Sequence, residues 1–296
     1  MPCFSPLTAY RMQDGSVEFK ETANTVCSLQ LPCGQCIGCR LERSRQWAAR
    51  CIHEASLHKQ SCFLTLTYRD ECLPAHGKLV YRQFQLFMKR LRKFAHPHKV
   101  RFFMAGEYGD QLGRPHFHAC IFGYDFADKT PIKKIADGYL YSSVSLEKLW
   151  PFGFSSIGAV TFESAAYVAR YCLKKVTGRA AKEHYEFVDQ ETGEVDRYPA
   201  EFTRMSLKPG IGAGWFAKYG SEVFPSDEVI INGHPCKPPK YYDRLFKKVD
   251  PESFEFIVYQ RELDALVRAP DNTLERLAVR EQVTQARVNL SQRKLS

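Results

Sequence analysis

Hydrophobic and polar positions along this chain follow two periods. A period of two, with many Phe, Thr and Val residues, is typical of strands with one buried face. It predicts strands at Cys62–Tyr68, Val100–Glu107, His116–Gly123 and Phe154–Phe162. A period near 3.6 indicates amphipathic helices. It predicts helices at Leu41–Lys59, Arg82–Ala95 and Glu163–Val176.

The order of these elements indicates an α+β fold. The two middle strands are joined by YGDQLGRP, whose glycines, Asp and Pro favour the turn of a hairpin. Strands and helices mix without βαβ regularity. We therefore expect a central antiparallel sheet of about five strands flanked by helices. We divide the chain into a Cys-rich N-terminal segment at 1–39, a main domain at 40–250 and a C-terminal helical tail at 251–296, to which no function is assigned.

Composition and charge narrow the class of protein. Hydrophobic residues make up 44% and aromatic residues 13% of the 296 positions, as in a packed globular protein. The net charge is +9, and Arg82–Arg101 holds seven basic residues and no acidic one. We expect a polyanion to bind there, while a merely solvated helix face is the alternative. The DNA-binding candidates are Lys89, Arg90, Arg92 and Lys93. Without a leader peptide or an apolar span, we expect a cytoplasmic protein and no membrane partner.

Two histidines and an acid suggest a metal site. Residues two apart in a strand share a face, so His116 and His118 point the same way. Glu107 lies on the partner strand of the hairpin and can reach across to them. Two imidazoles and a carboxylate suit Mg²⁺ or Mn²⁺ with open positions for substrate oxygens. The alternative is a pair of half-buried histidines that bond to backbone carbonyls.

Two tyrosines suggest a nucleophile. Tyr167 and Tyr171 are four residues apart on a predicted helix, so they share a side with Arg170 and Lys174. A nearby metal and cations would favour the phenolate form and stabilise charge on a phosphate. The alternative is that both tyrosines are ordinary packing residues of an amphipathic helix.

Eleven cysteines, an odd number, do not indicate a disulfide framework in a reducing compartment. Cys33, Cys36 and Cys39 form a C-x2-C-x2-C run, with Cys27 or Cys3 available as a fourth thiolate. Structural Zn²⁺ is our first interpretation. An iron-sulfur site and a site without metal remain alternatives, although the usual final Cys-Pro of an iron-sulfur run is missing.

Together these motifs resemble a known family. GEYGDQLGRPHFHACIFG, FLTLTYRDE and YVARYCLKK resemble the motifs of rolling-circle replication initiators of the HUH endonuclease superfamily. LPCGQCIGCRLERSRQW, MKRLRK and MSLKPGIG are similar to the initiators of small single-stranded DNA phages, the Microviridae, in the gokushovirus branch. The resemblance covers residues 1 to about 245 and identifies 40–250 as an HUH endonuclease domain.

The resemblance implies roles and a reaction. It gives His116, His118 and Glu107 as metal ligands, Tyr167 and Tyr171 as nucleophiles, and Lys174 or Lys175 as the assisting cation. One tyrosine would nick single-stranded origin DNA, remain on the 5′ end and free a 3′-OH. Host helicase and DNA polymerase would then act, because the chain has no nucleotide-binding Walker motif. The bacterial cytoplasm would be its location.

Two rival functions remain at this point. The chain could be a non-catalytic, zinc-stabilised nucleic-acid-binding module in which the histidines and tyrosines only pack. It could also be an HUH transposase or plasmid relaxase with the same chemistry on a different element.

Overall fold

The computed structural model describes residues 3–109, 112–135, 138–171, 176 and 180–292. The strands are β1 (Leu7–Met12), β2 (Val17–Glu18), β3 (Thr25–Leu31), β4 (Ser61–Leu66), β5 (Arg101–Tyr108), β6 (Pro115–Phe122), β7 (Lys129–Ile135), β8 (Gly138–Ser143), β9 (Ser155–Gly158), β10 (Glu186–Val188), β11 (Val195–Arg197), β12 (Phe202–Met205), β13 (Val229–Ile231) and β14 (His234–Cys236). The helices are α1 (Ile37–Ala55), α2 (Tyr81–Phe94), α3 (Val144–Leu149), α4 (Phe162–Tyr171), α5 (Ala180–Tyr185), α6 (Ala213–Val223), α7 (Lys240–Val249), α8 (Pro251–Val267) and α9 (Leu274–Gln292).

The chain divides into two compact units. The central unit is Ser44–Val249, and the terminal unit combines Met1–Arg43 with Asp250–Ser296. The terminal unit contains a three-stranded sheet in the order β2-β1-β3, together with α8 and α9. The boundary in the first half of the chain falls inside α1, between Arg43 and Ser44.

The central unit is built on a seven-stranded antiparallel sheet in the order β12-β5-β6-β4-β9-β8-β7. The prediction of an α+β fold with a central antiparallel sheet is thereby confirmed. The expected number of about five strands was too low. The hairpin β7–β8 and the short strand β12 extend the two edges of the sheet. Six of the seven residues of β7 are exposed, so this strand lacks the buried face that makes a strand visible in a sequence.

Each face of the sheet is covered by a different set of side chains. On one face, Phe84, Phe87 and Leu91 of α2 pack with Phe117 and Trp150 in a fully buried aromatic cluster. On the other face, Ala48 and Cys51 of α1 and Ala165, Val168 and Ala169 of α4 pack against Phe103, Ala105 and Cys120. Small side chains let these two helices approach the strands closely. The strand β6 therefore has helices on both sides and strands on both edges.

Candidate functional site

The pairing of β5 with β6 brings the predicted metal ligands together. Glu107 lies directly opposite His116, and Ala105 lies opposite His118. On the other edge of β6, His118 lies opposite Thr65 of β4. Because alternate residues share a face, both imidazoles lie on the side of the sheet that α1 and α4 cover.

The two imidazoles converge on one carboxylate oxygen. Nε2 of His116 is 2.7 Å and Nε2 of His118 is 3.0 Å from Oε1 of Glu107. All three ligand atoms lie within 4.8 Å of one another. Glu107 is 1% exposed and His118 is 5% exposed, so the group is shielded from bulk water except at His116. This spacing is that of a three-ligand cation site with one accessible side.

The remaining ring nitrogens are held by neighbours outside the group. Nδ1 of His116 is 3.0 Å from the backbone oxygen of Arg114, which can only accept, so this nitrogen carries the hydrogen. Nδ1 of His118 is 3.1 Å from Oγ1 of Thr65. Bonds of this kind fix the ring orientation, and a proton held on Nδ1 leaves Nε2 as the nitrogen that can bind a cation.

Tyr167 is the predicted nucleophile that the structure places at this group. Its ring meets the His118 ring edge to face, with centroids 5.1 Å apart. The ring of Phe63 stacks on His118 at 5.7 Å. The phenol and the imidazole pair thus occupy one site. Tyr171 ends α4, but its side chain lies outside the described part of the structure, and so do Lys174 and Lys175.

The position of α4 is fixed at its first turn and by its packing. Thr161 and Ser164 form a reciprocal cap, because each backbone N–H donates to the hydroxyl oxygen of the other at 2.8 and 3.1 Å. The Ser44 hydroxyl of α1 donates to the backbone oxygen of Ala166 at 2.8 Å. The predicted strand Phe154–Phe162 is therefore too long: β9 ends at Gly158, and Thr161 already caps α4.

Tyr68 and Tyr108, near the same end of the sheet, are poor candidates for the nucleophile. Burial raises the pKa of the Tyr68 phenol, whose hydroxyl donates to Oε1 of Gln83. Burial also raises the pKa of Tyr108 to about 12, and its hydroxyl donates to the backbone oxygen of Pro199 at 3.0 Å. Both phenols therefore ionise less readily than an ordinary tyrosine and have structural partners.

An open cleft of about 740 Å³ adjoins His116. It is lined by Arg69, Arg114 and Phe154, among others. Phe154 is 73% exposed, and Arg114 is held by Asp70 at 2.5 Å and by the backbone oxygen of Tyr68 at 2.8 Å. These residues lie outside the sites predicted from the sequence. Two arginines next to the predicted strands could have indicated the cleft: Arg69 in TYRDE and Arg114 in GRPHFH.

The basic residues of α2 lie away from the histidine pair. The buried side of α2 packs on the sheet face opposite the histidine pair. Nε of Arg90 donates to the backbone oxygen of Leu149 at 2.9 Å, while Lys89, Arg92 and Lys93 are exposed. The structure therefore does not bring the predicted DNA-binding residues to the histidine pair, and their role stays a prediction.

The cysteine run of the terminal unit forms a second group of possible ligands. The sulfur atoms of Cys3, Cys33, Cys36 and Cys39 lie within 4.8 Å of one another. Cys3 is thus the fourth member, while Cys27 is exposed on β3 and is not part of the group.

Comparison with known proteins gives the family. Residues 61–176, from β4 to just beyond α4, match the family model described as replication-associated protein ORF2/G2P. The chain is 32% identical to the replication-associated protein VP4 of Bdellovibrio phage phiMH2K, over 95% of this chain and 86% of that protein. It is 28% identical to the replication-associated protein ORF2 of Spiroplasma virus 4, over 88% of this chain and 86% of that protein.

No solved structure matches the chain. None of the helices in the described ranges is long and apolar enough to cross a membrane. Residues 61–176 include Glu107, His116, His118 and Tyr167, so the site lies inside the part of the chain that matches the family model. With nearly a third of its residues identical to those of the phiMH2K protein along most of both chains, this chain belongs to the family of phage replication-associated proteins, as its resemblance to phage replication initiators predicts.

Proposed function

We propose that this chain initiates rolling-circle replication as a metal-dependent endonuclease that nicks and rejoins single-stranded DNA through a tyrosine. The observation that supports it most strongly is the placement of the Tyr167 ring against His118, within a group of two imidazoles and one buried carboxylate. The phage relatives favour replication over the transposase and relaxase alternatives, because their names associate them with replication.

The donor set fits a divalent cation with affinity for oxygen. One carboxylate and two oriented imidazoles supply three ligand atoms, which leaves positions for phosphate oxygens of a substrate. A bound Mg²⁺ or Mn²⁺ would polarise the phosphodiester and offset the charge that develops on it. Glu107, His116 and His118 would hold the cation at a fixed place beside Tyr167.

The tyrosine carries the covalent step. The phenol oxygen of Tyr167 attacks the phosphorus of a phosphodiester, loses its proton to solvent and forms a phosphotyrosine at the 5′ end. The bond from phosphorus to O3′ breaks, and the leaving oxygen takes up a proton to give a 3′-OH. The number of phosphoester bonds is conserved, so rejoining needs no nucleotide cofactor. Tyr171, from its place in the motif, would carry the second transfer, and Lys174 or Lys175 would assist at the phosphate.

The cleft beside His116 is the proposed path of the DNA strand. Arg69 supplies an exposed cation for a backbone phosphate, and the exposed ring of Phe154 supplies a surface on which a base can stack. Binding should therefore weaken steeply with salt, as counterions are released from the strand. The freed 3′-OH would be extended by host DNA polymerase after host helicase opens the duplex, in the bacterial cytoplasm.

The test uses single-stranded origin DNA labelled at either end, Mn²⁺ and the full chain. A protein–DNA adduct should form only with the fragment downstream of the cut and should disappear with EDTA. Tyr167→Phe and Tyr171→Phe together should abolish the adduct. Tyr139→Phe, a change at an exposed tyrosine of β8, is the matched control and should leave it intact.

Two outcomes would contradict the proposal. An adduct that survives the double Tyr→Phe change would place the nucleophile elsewhere. Retention of DNA by the wild type with no covalent product, at any Mn²⁺ concentration, would support the non-catalytic binding module instead.

A further inference from the structure

The four sulfur atoms of the terminal unit are spaced for a single ion. They all lie within 4.8 Å of one another, and Sγ of Cys36 is 4.0 Å from Sγ of Cys3. Tetrahedral zinc with Zn–S bonds of about 2.3 Å would separate its sulfurs by about 3.8 Å. We infer that Cys3, Cys33, Cys36 and Cys39 bind one Zn²⁺ as a closed, four-thiolate structural site. This inference is independent of the proposed nuclease site.

The backbone around these sulfurs is arranged to stabilise thiolates. Gly34 has φ of 74°, a left-handed conformation that turns the chain between Cys33 and Cys36. The N–H of Cys36 then donates to Sγ of Cys33 at 3.2 Å. The N–H of Cys33 donates to Sγ of Cys3 at 3.3 Å, and the N–H of Phe4 donates to Sγ of Cys36 at 3.3 Å. Donors directed at sulfur favour the charged form that binds metal.

A cation lies next to the turn. Four thiolates and one Zn²⁺ carry a net charge of −2, which needs compensation nearby. Nη2 of Arg43, two turns into α1, donates to the backbone oxygen of Gly34 at 3.3 Å. Cys39 itself lies in the first turn of α1, where the helix dipole also favours negative charge.

Other chemistry fits these distances less well. A disulfide needs sulfurs about 2.05 Å apart, and those of Cys36 and Cys3 are at 4.0 Å. A four-iron cluster holds its thiolates on separate iron atoms and so spreads them further than one ion does. Tetrahedral sulfur ligation in a reducing compartment is the preferred site of zinc.

The terminal unit has little else to hold its N-terminal sheet. Apart from the cysteine group, the buried apolar side chains among its described residues are Ala9, Met12, Ile257 and Leu277. The strand β3 exposes four of its seven residues. Small structures of this kind take part of their folding free energy from a metal. Linking Cys3 to Cys33, thirty residues later, closes the loop that contains β1, β2 and β3.

The first experiment is elemental analysis of the full chain, purified without added metal and dialysed without chelator. We expect about one zinc per chain. Cys3→Ser should lose the zinc or bind it at least about ten-fold more weakly. Cys27→Ser changes an exposed cysteine of the same unit outside the group and is the matched control, which should keep its zinc.

A second measurement does not depend on how the cysteine variants fold. Wild-type protein loaded with Co²⁺ should show the absorption of tetrahedral cobalt together with sulfur-to-cobalt charge transfer. The same spectrum should appear when His116 and His118 are both changed to Ala, which separates this site from the nuclease site. Wild-type protein without zinc, wild-type protein with iron in its place, or equal zinc loss in Cys27→Ser and Cys3→Ser would overturn the inference.

Discussion

Replacing Thr65 by valine isolates the hydrogen bond that orients His118. The two side chains have nearly the same shape, so Thr65→Val removes the hydroxyl 3.1 Å from Nδ1 of His118 and little else. Nδ1 would lose this hydrogen bond in a place that bulk water hardly reaches, because His118 is 5% exposed. The imidazole could then rotate or change tautomer, and Nε2 would no longer be held as a ligand.

The expected loss of affinity can be bounded from the contacts of the ring. Outer partners of metal-bound histidines contribute about 10- to 100-fold to metal affinity. The His118 ring is also packed against Phe63 at 5.7 Å and against Tyr167 at 5.1 Å, so its orientation is not lost completely. We therefore expect a loss of metal affinity at the lower end of this range, about ten-fold, which corresponds to about 1.4 kcal/mol of binding free energy.

The assay is a Mn²⁺ titration of the full chain by calorimetry, followed by adduct formation at rising Mn²⁺. Thr65→Val should need more Mn²⁺ but reach nearly the wild-type rate at saturation, because it affects positioning and not the nucleophile. Thr67→Val is the matched control, since the Thr67 hydroxyl donates to the backbone oxygen of Phe154 and not to a histidine. Unchanged Mn²⁺ affinity in Thr65→Val would refute the assigned role of this hydrogen bond.

Two further predictions concern stability and DNA binding. Burial lowers the pKa of His53, stacked on Trp215 at 3.6 Å, from 6.5 to about 4. As the pH falls, His53 therefore takes up its proton in the unfolded chain before it does so in the folded chain. The free energy of unfolding should fall by roughly 3 kcal/mol as the pH is lowered from 6.5 to about 4. Denaturant titrations across this pH range should show a smaller fall in the free energy of unfolding for His53→Phe than for the wild type. The control His234→Gln should show the same fall as the wild type. Arg69→Gln should weaken single-stranded DNA binding and lower the salt slope by about one, which binding measurements over a series of salt concentrations would show.

The hairpin and the grouping of Glu107 with the two histidines could be predicted from the sequence because each depends on local rules. The turn chemistry of YGDQLGRP and the alternation in HFHACIF determine which strands pair and which side chains share a face. The register that places Glu107 opposite His116 follows from these two features. The placement of Tyr167 on α4 could likewise be predicted, because it depends only on the period of the helix.

Other features depend on contacts between distant residues and left no local pattern. Cys3 meets Cys33 through tertiary structure, so the sequence could only offer it beside Cys27 as a fourth thiolate. The position of α2 on the far face of the sheet was equally invisible, because an amphipathic helix shows that it has a buried side but not which surface it covers. The cleft near Arg69 arises where several chain segments meet.

The alternation of side chains along β6 restricts how this protein can change in length. Phe117 stands between the two histidines and is fully buried among the aromatic residues of the opposite face. Gain or loss of one residue within the strand would drive the imidazoles into that hydrocarbon interior and turn Phe117 toward Tyr167. Insertions and deletions among related phages should consequently be confined to the segments beyond the ends of β6.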